Sequence, residues 1–477
     1  LLSGTLPNVD EVASWLMTLN NKPTFIIKSD YRPCQLKIHS LTYDEDMSVR
    51  EAISEECSRI VNRFASDKFI IFVHVKSIGN YIIEKLASRG IEASFHNANL
   101  ESKERIEIEN SFKKDKNLRV IVATSTLAQG LNLPARRVIV AGVYRGSQLV
   151  PSSEILQMAG RAGRPAFDTQ GDAYILFPKN DFARLSKICT TAWPVTSKML
   201  ELSISQEYTT FMFHVLAEIY EGRIKSVEDI QKYYESSLSN YQKIKLRLSV
   251  LLESIEKMSR NGIIKLDQNN GLLEITSLGK ISVIFYANPY VVASFSRNFS
   301  ELFSKAEFND IHICLALANT QENLVGSMSK EDKFHMQHFV ERMKQVTTSS
   351  YPEGVIKQAY IYHRVLHGHY DPKYASVAKT FQQDFPRTAA VLSAIDSWVK
   401  KWDRKDFLQT LEKRFKYGVP SKLVNLVEVK NIGKSRAEKL YNAGFKTKGD
   451  ILNNLEKAAK VAGVNAESLK NNCEYNS

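Results

Sequence analysis

The 477 residues carry 64 lysines and arginines against 52 aspartates and glutamates, a formal net charge of +12, and 43% of them are hydrophobic. That length allows three or four domains with separate cores, and that charge favours an acidic partner. No long apolar run or amphipathic anchor is visible, which sets nucleic acid ahead of membrane as that partner, and five cysteines far apart without a C-x-x-C pair indicate neither a zinc knuckle nor a disulfide framework. No targeting peptide is visible and the chain opens on Leu1, so it reads as a piece of something longer that works in a reducing interior.

In chain order, Leu1 to Asn8 reads as an apolar strand end running into small hydroxyl residues. Ser3 and Thr5 are there either as polar contacts or as an N-cap and turn. A short amphipathic helix follows through Val12, Trp15, Leu16 and Leu19. Phe69 to Val73 is a continuous apolar run of buried-strand type, and Ser77 to Arg89 reads as a helix stopped by Gly90, giving a first β–α unit. Ile91 to Asn99 supplies a second strand and loop, Ser102 to Lys114 a charged helix, and Leu118 to Ala123 a third strand. The alternation predicts a doubly wound parallel sheet.

The loop from Thr124 to Ala135 contains small hydroxyl residues and Gly130 beyond the carboxyl end of a strand, where a phosphate can approach the backbone. Either a nucleotide or a nucleic-acid backbone fits that loop. After a strand over Arg137 to Val143 comes Gln157-Met158-Ala159-Gly160-Arg161-Ala162-Gly163-Arg164. If this octet opens a helix, Arg161 and Arg164 emerge on nearly one face with bare backbone between them, suited to gripping a polyphosphate, while Gln157 orients an attacking water. The alternative is an ordinary basic helix start. The sheet closes with Asp172 to Phe177.

Beyond a linker around Trp193 and Pro194, helices are predicted over Tyr208 to Tyr220, Val227 to Tyr234 and Lys243 to Arg260. Strands at Ile263 to Leu266 and Leu272 to Ile275 flank a turn at Asn269-Asn270-Gly271, so the whole reads as a winged helix. Ser282 to Trp402 is helical in pattern, broken at Pro289, Pro352, Pro372 and Pro386. In its last helix Thr388, Leu392, Ile395 and Val399 form a core stripe, and Arg387, Val391, Ala394 and Trp398 a second one. Trp398 beside Arg387 is a candidate for stacking a base of a single strand, or else is wedged between helices. His363 and His367 lie a turn apart without a third ligand, so no metal is assigned to them. Near the end, Gly433 with Lys434 and Arg436 suggests a helix-hairpin-helix whose turn aims amides at a phosphate. It is no P-loop, because Glu428 stands where the first glycine is required.

Five stretches resemble, in order, motifs of the second RecA-like domain of a Ski-like superfamily 2 helicase. They are Ser3-Gly4-Thr5 for motif III, Phe72 to Ser77 for motif IV, Phe95 to Leu100 for motif IVa, Thr124 to Ala135 for motif V and Gln157 to Arg164 for motif VI. Together with the later domains the chain resembles the archaeal Hjm and animal HelQ family of fork helicases. The resemblance implies an α/β plus all-α architecture: the tail of a first RecA-like domain (1–30), a second RecA-like domain (31–190), a winged helix (191–285), a helical ratchet bundle (286–403) and a helix-hairpin-helix domain (404–477). It implies 3′ to 5′ translocation on single-stranded DNA, unwinding of forks in repair, ATP with Mg2+, a monomer, and repair or replication proteins as partners. The location would be cytoplasmic at an archaeal nucleoid, or nuclear in a eukaryote.

Carried over residue by residue, Gln157, Arg161 and Arg164 are catalytic and, with Gly130 and Asn132, nucleotide-binding. His96, Thr124, Thr126, Arg387, Trp398, Gly433, Lys434 and Arg436 are DNA-binding, and Ser3 and Thr5 couple the two. The family's strand-splitting hairpin maps to Tyr144 to Ser153, which is otherwise a plain loop. No G-x-x-x-x-G-K-[ST] run exists, and Asp10-Glu11-Val12-Ala13 follows motif III instead of preceding it, so the chain by itself is expected to be inactive. An RNA helicase of the same branch, usually with a long insertion for which Thr196 to Asn288 has no room, and a non-catalytic DNA-binding module are the alternatives.

Overall fold

The computed structural model describes residues 6–474 apart from 30, 45, 98–99, 101, 115–117, 125–132, 134, 147, 166, 204–206 and 321–324. Two units result, Leu1–Thr196 and Ser197–Ser477.

In the first unit, helix α1 (Val9–Asn20) is anchored at its start by Asn8. The Asn8 amide donates to the carbonyl of Val195 (3.0 Å) and accepts from its N–H (2.9 Å), tying the head of the unit to its tail. Strand β1 (Gln35–Tyr43) and helix α2 (Val49–Arg63) come next, a β–α pair ahead of the one that the apolar run at Phe69 suggests as the first. β1 is an edge strand in which Lys37, His39 and Ser40 interrupt Leu36, Ile38 and Leu41, so no apolar run announces it. Helix α2 is started by Ser48, whose hydroxyl accepts from the Glu51 N–H.

The chain continues through β2 (Phe69–Val73), α3 (Lys76–Ala87), β3 (Ala93–His96), α4 (Ser102–Lys114), β4 (Val120–Thr124), β5 (Arg137–Val140), a small hairpin of β6 (Tyr144–Arg145) and β7 (Gln148–Leu149), α5 (Ser152–Ala159), β8 (Gln170–Pro178) and α6 (Phe182–Thr190). Six strands pair in the order β1-β8-β5-β2-β4-β3, every pair parallel. All carboxyl ends therefore lie along one edge and all amino ends along the other. Alternate residues of β2 serve opposite faces. Ile70 and Phe72 pack with Phe112, Ile155 and Met158 on one side, and Phe69, Ile71 and Val73 with Ile53, Cys57 and Ile82 on the other.

At the amino edge a charge network joins three strands. Asp172, only 4% exposed, accepts from Arg136 Nη1 and Arg137 Nη1 (both 2.8 Å) and pairs with His39 Nε2 (2.9 Å). Arg137 also meets Asp67 (2.6 Å) and the Tyr174 hydroxyl (2.8 Å), with its guanidinium 3.5 Å above the Phe64 ring. Burial raises the Asp172 pKa, but the His39 and Gln170 hydrogen bonds and the two arginines outweigh it and hold the carboxyl below its usual range.

The second unit has three cores. The first is built by α7 (Thr209–Tyr220), α8 (Val227–Glu235), α9 (Leu238–Tyr241), α10 (Leu248–Arg260) and the antiparallel pair β9 (Ile264–Leu266) and β10 (Leu273–Ile275). Helix α10 starts five residues later than the pattern suggests, because Lys243 takes φ +60° and stops regular structure there. The second core belongs to a bundle of α11 (Ser277–Ile284), α12 (Pro289–Ser304), α13 (Asp310–Ala318), α14 (Lys330–His335), α15 (Gln337–Val346), α16 (Glu353–Leu366), α17 (Ala375–Ile395) and α18 (Lys405–Tyr417). Pro386 does not break this bundle as expected. It lies inside α17, exposed, while Phe381, Phe385, Ala389 and Leu392 carry the buried stripe across it and compensate for the lost hydrogen bond. Helices α19 (Val424–Val427), α20 (Lys434–Asn442), α21 (Lys448–Asn453), α22 (Leu455–Ala462) and α23 (Ala466–Glu474) enclose the third core.

Replacing Asp172 by asparagine leaves two arginines facing a neutral group in a buried site, a change that typically costs about 3 to 5 kcal/mol. Asp172→Asn is expected to lower the stability of the first unit on that scale in chemical denaturation at neutral pH. Because the folded-state pKa is depressed, the wild-type contribution is present above the ordinary carboxylate range and is lost as pH falls through the folded value. The gap between wild type and variant should therefore close in acid.

Candidate functional site

The arginine octet ends a helix instead of opening one. Gln157 lies exposed in the last turn of α5, Gly160 caps it, and Arg161 and Arg164 sit beyond the cap in extended or turn backbone. Helical spacing therefore does not bring the two guanidinium groups to one face. The glycines decide this. Gly163 has φ +92°, and a Cβ there would stand 2.2 Å from the Cys34 sulfur; a Cβ on Gly171 of β8 would stand 2.3 Å from the Ala162 carbonyl carbon. With both absent, the loop lies directly on the starts of β1 and β8. It is held by Gly163 N–H to the Ala135 carbonyl (2.7 Å) and Ala135 N–H to the Arg161 carbonyl (3.2 Å).

Arg32, which sequence reasoning missed, closes the arrangement. Its Nη2 donates to the carbonyls of Gly160 (2.8 Å) and Ala162 (3.0 Å) and its Nε to that of Cys34 (2.8 Å), satisfying carbonyls that a helix end leaves open. Arg164 donates through Nε (2.8 Å) and Nη2 (2.9 Å) to the two oxygens of Asp168, whose carboxylate also accepts the Arg164 N–H (2.8 Å). Burial raises the Asp168 pKa, yet these bonds hold it below the usual range and in turn raise that of Arg164. The Arg164 side chain remains one-third exposed, and that of Arg161 is half-buried. The result is an amino edge carrying Arg32, Arg136 and Arg164, each held by the partners named above, with Arg161 beside them; guanidinium groups suit an oxyanion.

The carboxyl edge holds a different set. Thr124 ends β4, half-buried. His96 ends β3, but its ring is 2% exposed and its Nε2 pairs with Glu109 of α4 (3.2 Å). This corrects the expectation that its side chain faces a nucleic-acid strand; it joins the sheet to a helix. The segment Tyr144 to Ser153, which the resemblance makes a strand-splitting hairpin and which otherwise reads as a plain loop, contains a short antiparallel pair of Tyr144 with Leu149 and Arg145 with Gln148, with Gly146 at φ +67°. Arg145 is held by Glu154 (2.6 Å). At its base His74, also unforeseen, donates from Nε2 to the Gly142 carbonyl (3.0 Å); burial is the main cause that pushes it down to about 4, so the ring is neutral at neutral pH. Ser3, Thr5, Thr126, Gly130 and Asn132 lie outside the described residues. The segment 125–134 nonetheless joins Thr124 at the carboxyl edge to Ala135, which bonds the arginine loop at the amino edge.

In the second unit, α17 passes at Asp396–Lys400 into a π-turn, with Lys401 at φ +52°. Asp396 accepts the N–H groups of Asp403 and Arg404 (both 2.9 Å), turning the chain into α18. Trp398 stands on this turn, 49% exposed, its ring 6.4 Å from that of Phe285. The second stripe is only partly off the core. Val391 and Ala394 are buried because α17 is surrounded by other helices, and only Arg387 and Trp398 at its ends reach the surface. Arg387 donates to the Tyr286 carbonyl (3.0 Å) and pairs with Asp384 (2.9 Å). Thus Phe285 and Tyr286, at the end of α11, meet both candidate residues, and Tyr286 is itself 74% exposed at φ +52°.

Gly433 is the N-cap of α20, and a Cβ there would meet nothing within 4 Å, so the fold does not need glycine at this position. Its bareness leaves the first amides of α20 open to approach. Arg436 is exposed and donates to the Asn431 carbonyl (2.8 Å). Lys434 departs from expectation: its Nζ donates to the His367 carbonyl (2.6 Å), turned toward the bundle instead of outward.

Residues 50–166, from α2 to the end of the arginine loop, match the helicase conserved C-terminal domain. The chain is 27% identical over 492 residues to the ATP-dependent DNA helicase Hel308 of Thermoplasma acidophilum, with 94% of this chain and 69% of that protein covered. It is 24% identical to the DExH-box ATP-dependent RNA helicase DExH13 of Arabidopsis thaliana, over 72% of this chain but 18% of that one. Of solved structures, the E. coli DExH-box NTPase HrpB superposes with a TM-score of 0.42 at 16% identity, over 76% of this chain and 42% of that one, too loosely to carry an argument. The chain is thus similar to superfamily 2 helicases, and its parallel sheet with flanking helices is of the helicase C-terminal kind. Among the described residues no helix is long and apolar enough to cross a membrane.

Trp398 on the π-turn and Trp402 just beyond it should separate cleanly. Trp402 packs against Phe299 and Phe303 and donates from its indole to Ser300 (3.1 Å), whereas Trp398 is half in solvent. Trp402→Ala is expected to cost the second unit about 3 to 5 kcal/mol, as for a packed aromatic. Trp398→Ala should cost less, about 2 kcal/mol, in proportion to its smaller buried apolar area. Equal losses in denaturant titrations would return Trp398 to the core.

Proposed function

We propose that this chain is the C-terminal part of an ATP-dependent DNA helicase that moves 3′ to 5′ on single-stranded DNA and opens forks during repair. The observation that carries this reading is the division of the sheet. Arg32, Arg136, Arg161 and Arg164 lie along its amino edge, the hairpin and Thr124 along its carboxyl edge, and one segment, 125–134, links the two. A change in what the arginines hold is thereby connected through ten residues of chain to the edge where a strand would run.

The amino edge fits a polyphosphate. Arg164 is oriented by Asp168 and Arg161 stands three residues away on a loop that Arg32 keeps rigid. ATP with Mg2+ would supply the free energy of phosphoryl transfer; Arg161 and Arg164 would hold the charge that develops on the transferring group, and Gln157 would position water. The cradle for the other phosphates has no counterpart in these 477 residues, so it must come from elsewhere in the working enzyme. At the carboxyl edge, the hairpin 144–149 would split the duplex. Beyond the sheet, 191–285 would serve as a winged helix, 286–403 as a ratchet bundle and 404–477 as the helix-hairpin-helix domain, with α18 of that last segment packing its Leu408, Leu411 and Phe415 into the bundle core. Trp398 would stack on a base, and Arg387, Arg436 and the amides beyond Gly433 would meet phosphates. The similarity to a plant protein named as an RNA helicase supports a second reading, RNA as the unwound duplex.

On this proposal the chain alone hydrolyses no ATP, with or without DNA. In the complete enzyme, Arg161→Ala or Arg164→Ala should cut turnover by about 10³ to 10⁵, the scale of an arginine finger, while single-strand affinity stays within a few fold. Parallel assays on matched DNA and RNA duplexes choose between the two substrates. Retained ATPase activity with lost strand binding in either arginine variant would contradict the proposal and assign the loop to the nucleic-acid track.

A further inference from the structure

Away from every residue assigned above except Lys434, the second unit contains a cavity of about 520 Å3 between α13, α15 and α16, lined by Asp310, Arg342, His363, Arg364, His367 and His369 among others. Its charges do not cancel. The one carboxylate, Asp310, is already engaged by both Nη atoms of Arg414 (2.8 and 2.7 Å) and by His367 Nε2 (3.1 Å). Arg342 and Arg364 have no carboxylate partner among the described residues, and the Arg364 Nε is buried with no hydrogen-bond acceptor at all. An unsatisfied buried guanidinium nitrogen is costly and calls for an anion or a water. The wall is preformed. Gly368 and Gly418 approach so closely that a Cβ on the first would stand 2.5 Å from the carbonyl oxygen of the second, and Lys434 Nζ binds the His367 carbonyl beside them.

We infer that this cavity is an oxyanion site that takes a phosphate group of a nucleic-acid strand, with Arg342 and Arg364 as its ligands. Guanidinium forks suit phosphate oxygens, and the space exceeds a phosphate enough to admit the sugar that carries it. The surrounding field agrees. Burial, then the charge of His367 and the two arginines, pushes His363 down to about 4, and burial with Lys434 and Arg364 lowers His369, while only Asp310 and Glu438 act the other way. Both rings are neutral at neutral pH and offer N–H donors without adding charge. The strand as the phosphate's source rests on the proposed function; the oxyanion site itself does not.

The test uses the full chain, labelled oligothymidylate with or without a terminal phosphate, and inorganic pyrophosphate as a free probe. Arg342→Gln with Arg364→Gln should weaken strand binding about tenfold at low salt and flatten the slope of log affinity against log salt by about 0.7 for each phosphate that is no longer neutralised. Pyrophosphate should raise the melting temperature of the wild type and not of the double variant. An effect confined to oligomers with a terminal phosphate identifies a strand end as the source, and an equal effect on both identifies an internal phosphate. If the double variant proves poorly folded, Arg342→Gln alone, at an exposed side chain, carries the same prediction at half the slope change. Unchanged affinity, slope and pyrophosphate response in a folded variant overturn the site. A wild type that responds to pyrophosphate but binds no strand upholds the site and overturns the proposed function.

Discussion

The first unit depends on one contact between two pieces of bare backbone. Gly163 and Gly171 let the loop after α5 lie against the starts of β1 and β8 at distances where no side chain fits. From that contact follow the bridge to Ala135, the reach of Arg32 to the open carbonyls of Gly160 and Ala162, and the i,i+4 turn in which Asp168 grips Arg164. Each of these is a modest interaction by itself. Together they turn a glycine-rich segment, which would otherwise sample many conformations, into a fixed display of cations. The Asp172 network lies beside it on the same edge and pins β5 and β8 in the register that the loop requires.

Much of this is legible in the sequence, and the failures have physical causes. Buried parallel strands are continuous apolar runs, so β2, β4 and β5 stand out, and α4 falls where its charge pattern puts it. β1 escapes because an edge strand buries only part of its surface and its residues alternate. Residue spacing alone puts the octet at a helix start, whereas its glycines are those of a helix end, and spacing loses its meaning once the backbone leaves the helix. Arg32, Asp168 and His74 carry no local signal, since their partners lie elsewhere in the chain or depend on a turn that has first to form. In the bundle, the stripe through Val391 and Ala394 fails for a related reason. A helix enclosed by several others buries more than one face, and periodicity alone does not count neighbours.

The two edges of the sheet and the end of α17 offer different chemistry. The amino edge presents fixed guanidinium groups suited to a compact, highly charged oxyanion. The carboxyl edge presents a hairpin that carries Arg145, a threonine, and a neutral, half-buried histidine at the hairpin's base. Arg387 on α17 and Trp398 on the turn that follows it both reach the Phe285–Tyr286 pair, the indole beside the Phe285 ring and the guanidinium on the Tyr286 carbonyl. Exposed flat rings beside a guanidinium at the surface are groups of the kind that stack on bases and meet phosphates of an unpaired strand, although Asp384 already pairs with Arg387.

Under the proposed function the strand avoids the arginine loop of the first unit, and photo-crosslinking reads that separation directly. A single-stranded oligonucleotide carrying photoreactive thymines, bound to the full chain and irradiated, should leave adducts on peptides containing Thr124, the hairpin 144–149, and Trp398 or Tyr286. Peptides spanning Gln157 to Asp168 should stay unmodified. Adducts concentrated on the arginine loop, with Trp398 and the hairpin untouched, would contradict the account.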